Sequence, residues 1–412
     1  MLAAGNGLEW SAFLVFLAVS LTKAAWKRLP PRIETSLLAA MTCSAGVLLA
    51  LVNHPSGPDV GFYANALSGF ARFPLGFYAA YAAYVYPPLQ IYLAVLPYLL
   101  TAQASASLLL VSIIADLASG VLVYRVLGAG TRGLAGAGLL LFNPYYAQYS
   151  VVNLTTEALM TPLFLAGLYL FRTRDGSSGA LLGLSALAKQ QVLYPIFALS
   201  VMRVRESRAQ AATLLASMAA VFLALSSPFL LSTPLDFLRG MVGKPLQLQF
   251  LNPATGGAAA FSTFWSVLNW ASVNTGVDFN AAQAIRPMVW LLLLALAVYV
   301  AAKRDAGPAY TSLVAYLPYV LGSEFGGGWY LIVVVPLLVL VYLDADLARP
   351  ERAAALAMLL ALLPYRLADY YSLLTGETQP YVFGDLLFGA ASVVFLIVVV
   401  DSLRKRPSTL RA

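Results

Sequence analysis

Charge is scarce in this chain. Lys, Arg, Asp and Glu make up 10% of its 412 residues, against about 25% in an ordinary soluble domain. That excludes a soluble globular enzyme. Histidine is nearly absent, and with His54 alone neither a His-based metal cluster nor a Ser-His-Asp triad can be built. Cysteine is as sparse: Cys43, set in an apolar run and expected to be buried there, has no second cysteine for an internal disulfide. The N-terminus lacks a basic leader region and its first apolar stretch ends in a basic segment, so no cleavable signal peptide is expected. The net charge of +7 is no nucleic-acid signature, because the basic residues gather in short flanks of apolar runs, where they set topology.

What the chain has instead is apolar length: 60% of its residues are hydrophobic. Runs suited to crossing a bilayer as helices recur at 8–24, 33–52, 104–124, 132–150, 157–172, 209–231, 287–302, 309–323, 328–343, 352–368 and 385–402. The expected fold class is therefore all-α, a polytopic transmembrane helical protein of about eleven spans. Two further apolar stretches, 86–102 and 179–202, are settled by charge. If Lys23, Lys27, Arg28 and Arg32 lie inside, 86–102 must begin and end outside and reads as a juxtamembrane helix after Pro87-Pro88. Arg172 and Arg174 precede 179–202, and Arg203, Arg205 and Arg208 follow it, so it reads as a re-entrant hairpin with Lys189-Gln190-Gln191 at its tip. Nineteen basic residues then fall inside and five outside, as the positive-inside rule requires. The N-terminus lies outside and the C-terminus inside. No internal repeat is visible. The whole of 1–412 reads as one integral membrane domain, with outer pieces at 53–103, 232–286 and 369–384. The loop 232–286 contains FSTFWSVLNW, an expected interfacial helix.

The outer stretch Pro58 to Leu89 organises the rest. Asp59 stands at its mouth, and nine aromatics follow between Phe62 and Tyr86. Such density suits a membrane–water interface, where rings can hold a sugar face. Asp59 reads either as a proton acceptor or as an ordinary solvated acid.

Ionisable groups inside apolar segments mark function or pairing. Asp116 reads as a helix-packing acid paired with a neighbouring helix, with a functional role as the alternative. Lys189 suits a lipid phosphate; the alternative is a lysine that snorkels to an interface. Glu157 either caps its helix at the positive end of the dipole or faces the outer site with Tyr145 and Tyr146. Glu324, before Gly326-Gly327-Gly328, is a third outer acid.

Four segments carry a resemblance. PDVGFY with YPPL resembles the first outer loop of the GT-C superfamily of polytopic glycosyltransferases. SIIADLASGVLVYRVL resembles its next helix, FNPYYAQYSVVNLTTEALM the helix end with a second acidic position, and ALAKQQVLYPIF a K-x-Y-P element. Within the superfamily the chain looks most like the polyprenyl-phosphate-mannose-dependent mannosyltransferases related to the first GPI mannosyltransferase. The resemblance covers 53–202, implying a GT-C-like catalytic module there and a variable helical module over 203–412. It implies Asp59 as catalytic acid position, Glu157 as the second, and Lys189 as a contact to the donor phosphate. Tyr63, Tyr86, Tyr145, Tyr146 and Glu324 join them as expected substrate contacts. The family often has two acids spaced D-x-D; here the motif is Asp59-Val60-Gly61, which points to metal-independent transfer. No cofactor is required, and a divalent metal stays an open alternative. The expected activity is inverting transfer of a hexose, in particular mannose, from a polyprenyl-phosphate carrier to a hydroxyl on a lipid or glycan, at the extracytoplasmic face of the cell membrane. The alternative is a transporter or flippase of a lipid-linked saccharide. No nucleic acid is expected as partner, and protein partners are not specified.

Overall fold

A computed structural model describes residues 2–22, 29–52, 60–82, 84, 86–128, 130–152, 154, 156–243, 275–276, 285–303, 307–322, 331–365, 367 and 380–405. Asp59 and Glu324 lie outside the described residues, as does the segment FSTFWSVLNW. The described residues form helices and turns, with no strand among them. This is what an apolar chain with few charges must do in a bilayer, where each helix satisfies its own backbone.

The helices are α1 Leu2–Leu21, α2 Pro31–Val52, α3 Val60–Arg72, α4 Phe77–Ala80, α5 Leu89–Thr101, α6 Ala104–Val126, α7 Gly130–Leu141, α8 Pro144–Ala147, α9 Thr156–Leu170, α10 Asp175–Ala188, α11 Leu193–Glu206, α12 Arg208–Ser232, α13 Pro234–Leu238, α14 Arg286–Lys303, α15 Pro308–Gly322, α16 Val334–Tyr342, α17 Arg349–Ala361 and α18 Pro380–Lys405. Five stretches among them, Pro31–Ala50, Ala104–Val126, Arg208–Ser232, Arg286–Lys303 and Phe383–Lys405, are long and apolar enough to cross a membrane. Cys43 is exposed on α2, contrary to expectation, because an apolar helix in a bilayer can turn apolar faces outward to lipid.

The expected span 132–150 is not one helix. It stops at Leu141, and Asn143 restarts the chain as α8: its Oδ1 accepts from the backbone N–H of Tyr145 at 3.0 Å and of Tyr146 at 3.1 Å. Pro144 fills the first helical position, where a missing N–H costs nothing. A π turn, Gln148–Val152, follows. Leu154, buried with φ +52, then turns the chain into α9.

The chain divides into two compact units, Met1–Leu193 with Ala209–Gln247, and Tyr194–Arg208 with Leu248–Ala412. In the first, α6 packs against α2, α3, α5, α7 and α9, and α9 packs along α10. A Cβ on Gly179 would meet the backbone carbonyl of Leu214, and one on Gly183 would lie 2.7 Å from that of Met218. Glycines four residues apart therefore let α10 approach the α12 backbone directly. Gly179→Ala is expected to cost roughly 1–3 kcal/mol, since a backbone carbonyl cannot give way as a side chain can. It should lower the thermal unfolding midpoint in detergent. Gly389→Ala, with nothing within 4 Å of its added Cβ, should not.

In the second unit α15 packs on α14, α16 and α18, and α17 on α16 and α18. The helix α16 is buried along its whole length. Tyr365 Oη donates to Asp385 Oδ1 at 2.5 Å, and Glu351 Oε2 accepts from the Ala348 N–H at 3.1 Å.

Candidate functional site

The pairing of α9 with α10 is set by two serines. Ser178 Oγ donates to the Gly167 carbonyl at 2.8 Å, and Ser185 Oγ to the Met160 carbonyl at 2.9 Å. Seven residues forward on α10 thus match seven back on α9, so the helices run antiparallel in fixed register. One further turn on each brings Lys189 against Glu157. Lys189 Nζ donates to Glu157 Oε1, and both side chains are buried, at 2% and 0% exposure. The lysine therefore does not snorkel.

Lys189 stands where α10 ends. Its N–H still bonds to the Ser185 carbonyl at 3.1 Å, but its backbone is extended at φ −158°, ψ 136°, before a short 3-10 turn over Gln190–Val192. Gln190 Nε2 reaches the Met241 carbonyl at 3.4 Å. Glu157 occupies the first turn of α9, where the positive end of the dipole favours a carboxylate. The acid thus stands at the start of its helix and at the same time pairs with Lys189.

The third member comes from the aromatic stretch. The Lys189 ammonium lies 4.5 Å from the centroid of the Tyr86 ring, within cation–π range. Tyr86 is placed by a wall of rings: Tyr63 at 5.8 Å, Tyr84 edge-on at 5.6 Å and Phe62 at 6.4 Å between centroids. Tyr78 Oη donates to the Tyr86 carbonyl at 2.7 Å. Burial pushes the Tyr78 phenol well above its ordinary range, so it stays a donor at any physiological pH. Gln90 Nε2 bonds to the Leu154 carbonyl at 3.4 Å, tying the start of α5 to the turn that leads into Glu157.

Of the expected residues, Glu157, Lys189, Tyr63 and Tyr86 are thus brought into one site. Tyr145 and Tyr146 are buried on α8. Tyr145 stands against Tyr149 at 4.8 Å, and Tyr146 lies beside Asp116. The Asp116 carboxylate accepts from Ser150 Oγ, so this acid does bind a neighbouring element. Sequence reasoning missed the direct Glu157–Lys189 contact, and the supporting roles of Phe62, Tyr78 and Tyr84. The seven-residue spacing of Ser178 and Ser185 puts both hydroxyls on one face of α10, but it does not say which carbonyls they meet. Beside the aromatic wall lies an apolar cleft of about 300 Å³, lined by Phe70, Pro74, Leu75, Tyr92, Leu225 and Phe229 among others. Among the described residues, no group of three or more His, Cys, Asp and Glu could hold a metal ion.

Fold and site define an all-helical membrane protein with a buried cation held between a carboxylate and an aromatic face. No protein-family model and no curated protein matches the chain. Among solved structures, the chain is similar to ArnT from Cupriavidus metallidurans bound to undecaprenyl phosphate, with 16% identity over 89% of this chain and 77% of that one, and a TM-score of 0.49.

Proposed function

We propose that the chain is a membrane glycosyltransferase of the GT-C type. It moves a hexose, in particular mannose, from a polyprenyl-phosphate carrier to a hydroxyl acceptor at the extracytoplasmic face. The observation that carries the proposal is the meeting of Tyr86, Glu157 and Lys189, which stand in three of the four segments that resemble this superfamily. A buried lysine beside an aromatic wall suits a sugar linked to an anionic phosphate: rings take the sugar face and the ammonium takes the phosphate. The apolar cleft beside the wall suits the carrier's hydrocarbon.

In this reading Lys189 stabilises the phosphate before reaction and more strongly as charge develops on the departing oxygen. Asp59 takes the acceptor proton, and Tyr63 and Tyr86 hold the hexose. Attack opposite the phosphate inverts the anomeric centre, following single-displacement logic.

Purified protein in liposomes, given labelled polyprenyl-phosphate mannose and a membrane extract as acceptor, should consume the donor and yield a labelled product of altered mobility. Donor relocated across the bilayer but chemically intact would instead establish a flippase.

A further inference from the structure

The ammonium assigned to the donor phosphate already has an anion. Lys189 and Glu157 neutralise each other in a buried site, so an incoming phosphate meets a pair without net charge and a carboxylate that repels it. We infer that Glu157 is an internal stand-in for the donor: its carboxylate holds the phosphate's place on Lys189 and is displaced when a polyprenyl phosphate binds. This inference rests on the proposed function and adds a gate to that same site.

Three observations support displacement over a static bridge. The Lys189 backbone is anchored through Ser185, while its charge sits on a flexible four-carbon stem, so the ammonium can change partner without moving either helix. The Tyr86 ring provides a second face for the ammonium, so the cation keeps a favourable contact throughout the exchange. Glu157 belongs to the first turn of α9, where the helix dipole stabilises a carboxylate that has lost its lysine. Each ion therefore keeps a partner after the exchange. The pair keeps the ammonium from being buried uncompensated in the empty site, a state that is strongly unfavourable.

A stand-in and a preorganising partner predict opposite signs. If Glu157 competes with the donor, Glu157→Gln removes the competitor. Binding of undecaprenyl phosphate to the full-length protein in nanodiscs should then tighten by roughly tenfold, as for one charge-assisted contact no longer opposed. Free Glu157→Gln protein should unfold at a lower temperature than wild type, and the lipid phosphate should raise its midpoint by more, because the ligand returns an anion to the buried ammonium. Lys189→Met should bind weakly, and the double variant with Glu157→Gln, freed of the repelling carboxylate but still without the ammonium, should stay weaker than wild type. If Glu157→Gln does not fold, Glu157→Asp retains the charge on a shorter arm and should tighten binding to a smaller degree. Equal or weaker binding by the folded position-157 variant overturns the stand-in role while leaving the donor assignment intact. Failure of wild type and every variant to bind undecaprenyl phosphate overturns both.

Discussion

Asp59→Asn is expected to lower sugar transfer by roughly 10²–10⁴-fold, the range for loss of a positioned general base, with donor binding little changed. A polyprenyl phosphate is already a good leaving group, so its departing oxygen needs charge stabilisation more than a proton. The acceptor hydroxyl is the difficult partner, since it becomes acidic only as it bonds to the anomeric carbon. A carboxylate on the acceptor side can take that proton late in an oxocarbenium-like step. Asp59 stands at the head of the aromatic stretch that supplies Tyr63 and Tyr86. The Asn variant keeps shape and part of the hydrogen bonding but cannot accept the proton. Single-turnover transfer from labelled donor, with binding of the unreacted lipid measured in parallel, separates the two effects. A rate within about tenfold of wild type would be incompatible with a general base of this size. The base would then be sought elsewhere in the site, with Glu157 first.

Lys189→Met is expected to act on stability and on function together. Removing one partner of a buried ion pair costs up to about 3–5 kcal/mol, because the other charge loses its counterion. Here that is Glu157, with no exposure to solvent, and the dipole at the start of α9 offsets only part of the loss. Adding Glu157→Gln removes the stranded charge, so the double variant should recover part of the lost thermal midpoint. It should not recover donor affinity. A buried charge-assisted contact to the phosphate is worth roughly 1.5–3 kcal/mol, so KM for the donor should rise and turnover fall in both variants. Recovered stability without recovered binding marks Lys189 as a phosphate contact. A folded double variant with wild-type kinetics would make the pair structural only.

Lipid embedding and helical class were legible because they follow from composition. With 10% charge the chain cannot present a soluble surface, and in lipid only closed hydrogen-bonding solutions remain. Local punctuation was legible too: Pro87-Pro88 precedes α5, and the polar Lys189-Gln190-Gln191 breaks the helical run. Asn143-Pro144 is an equally plain restart signal inside 132–150, but hydropathy alone does not register it, because an apolar run hides a turn.

The sequence by itself determined that apolar helices would form, and that Glu157, Lys189 and an aromatic stretch were the residues to watch. It could not determine which of them meet. Helices such as α6 and α12 are apolar on most faces, so their periodicity does not say which side turns to a neighbour and which to lipid. The tertiary structure decided that through directional contacts between segments distant in the chain. Ser178 and Ser185 on the carbonyls of α9 bring Lys189 to Glu157. The Tyr78 bond to the Tyr86 carbonyl, within a wall of rings, sets Tyr86 over the ammonium. A side chain's charge is written in its codon, but its partner is chosen by backbone register, and register is settled only when whole helices pack.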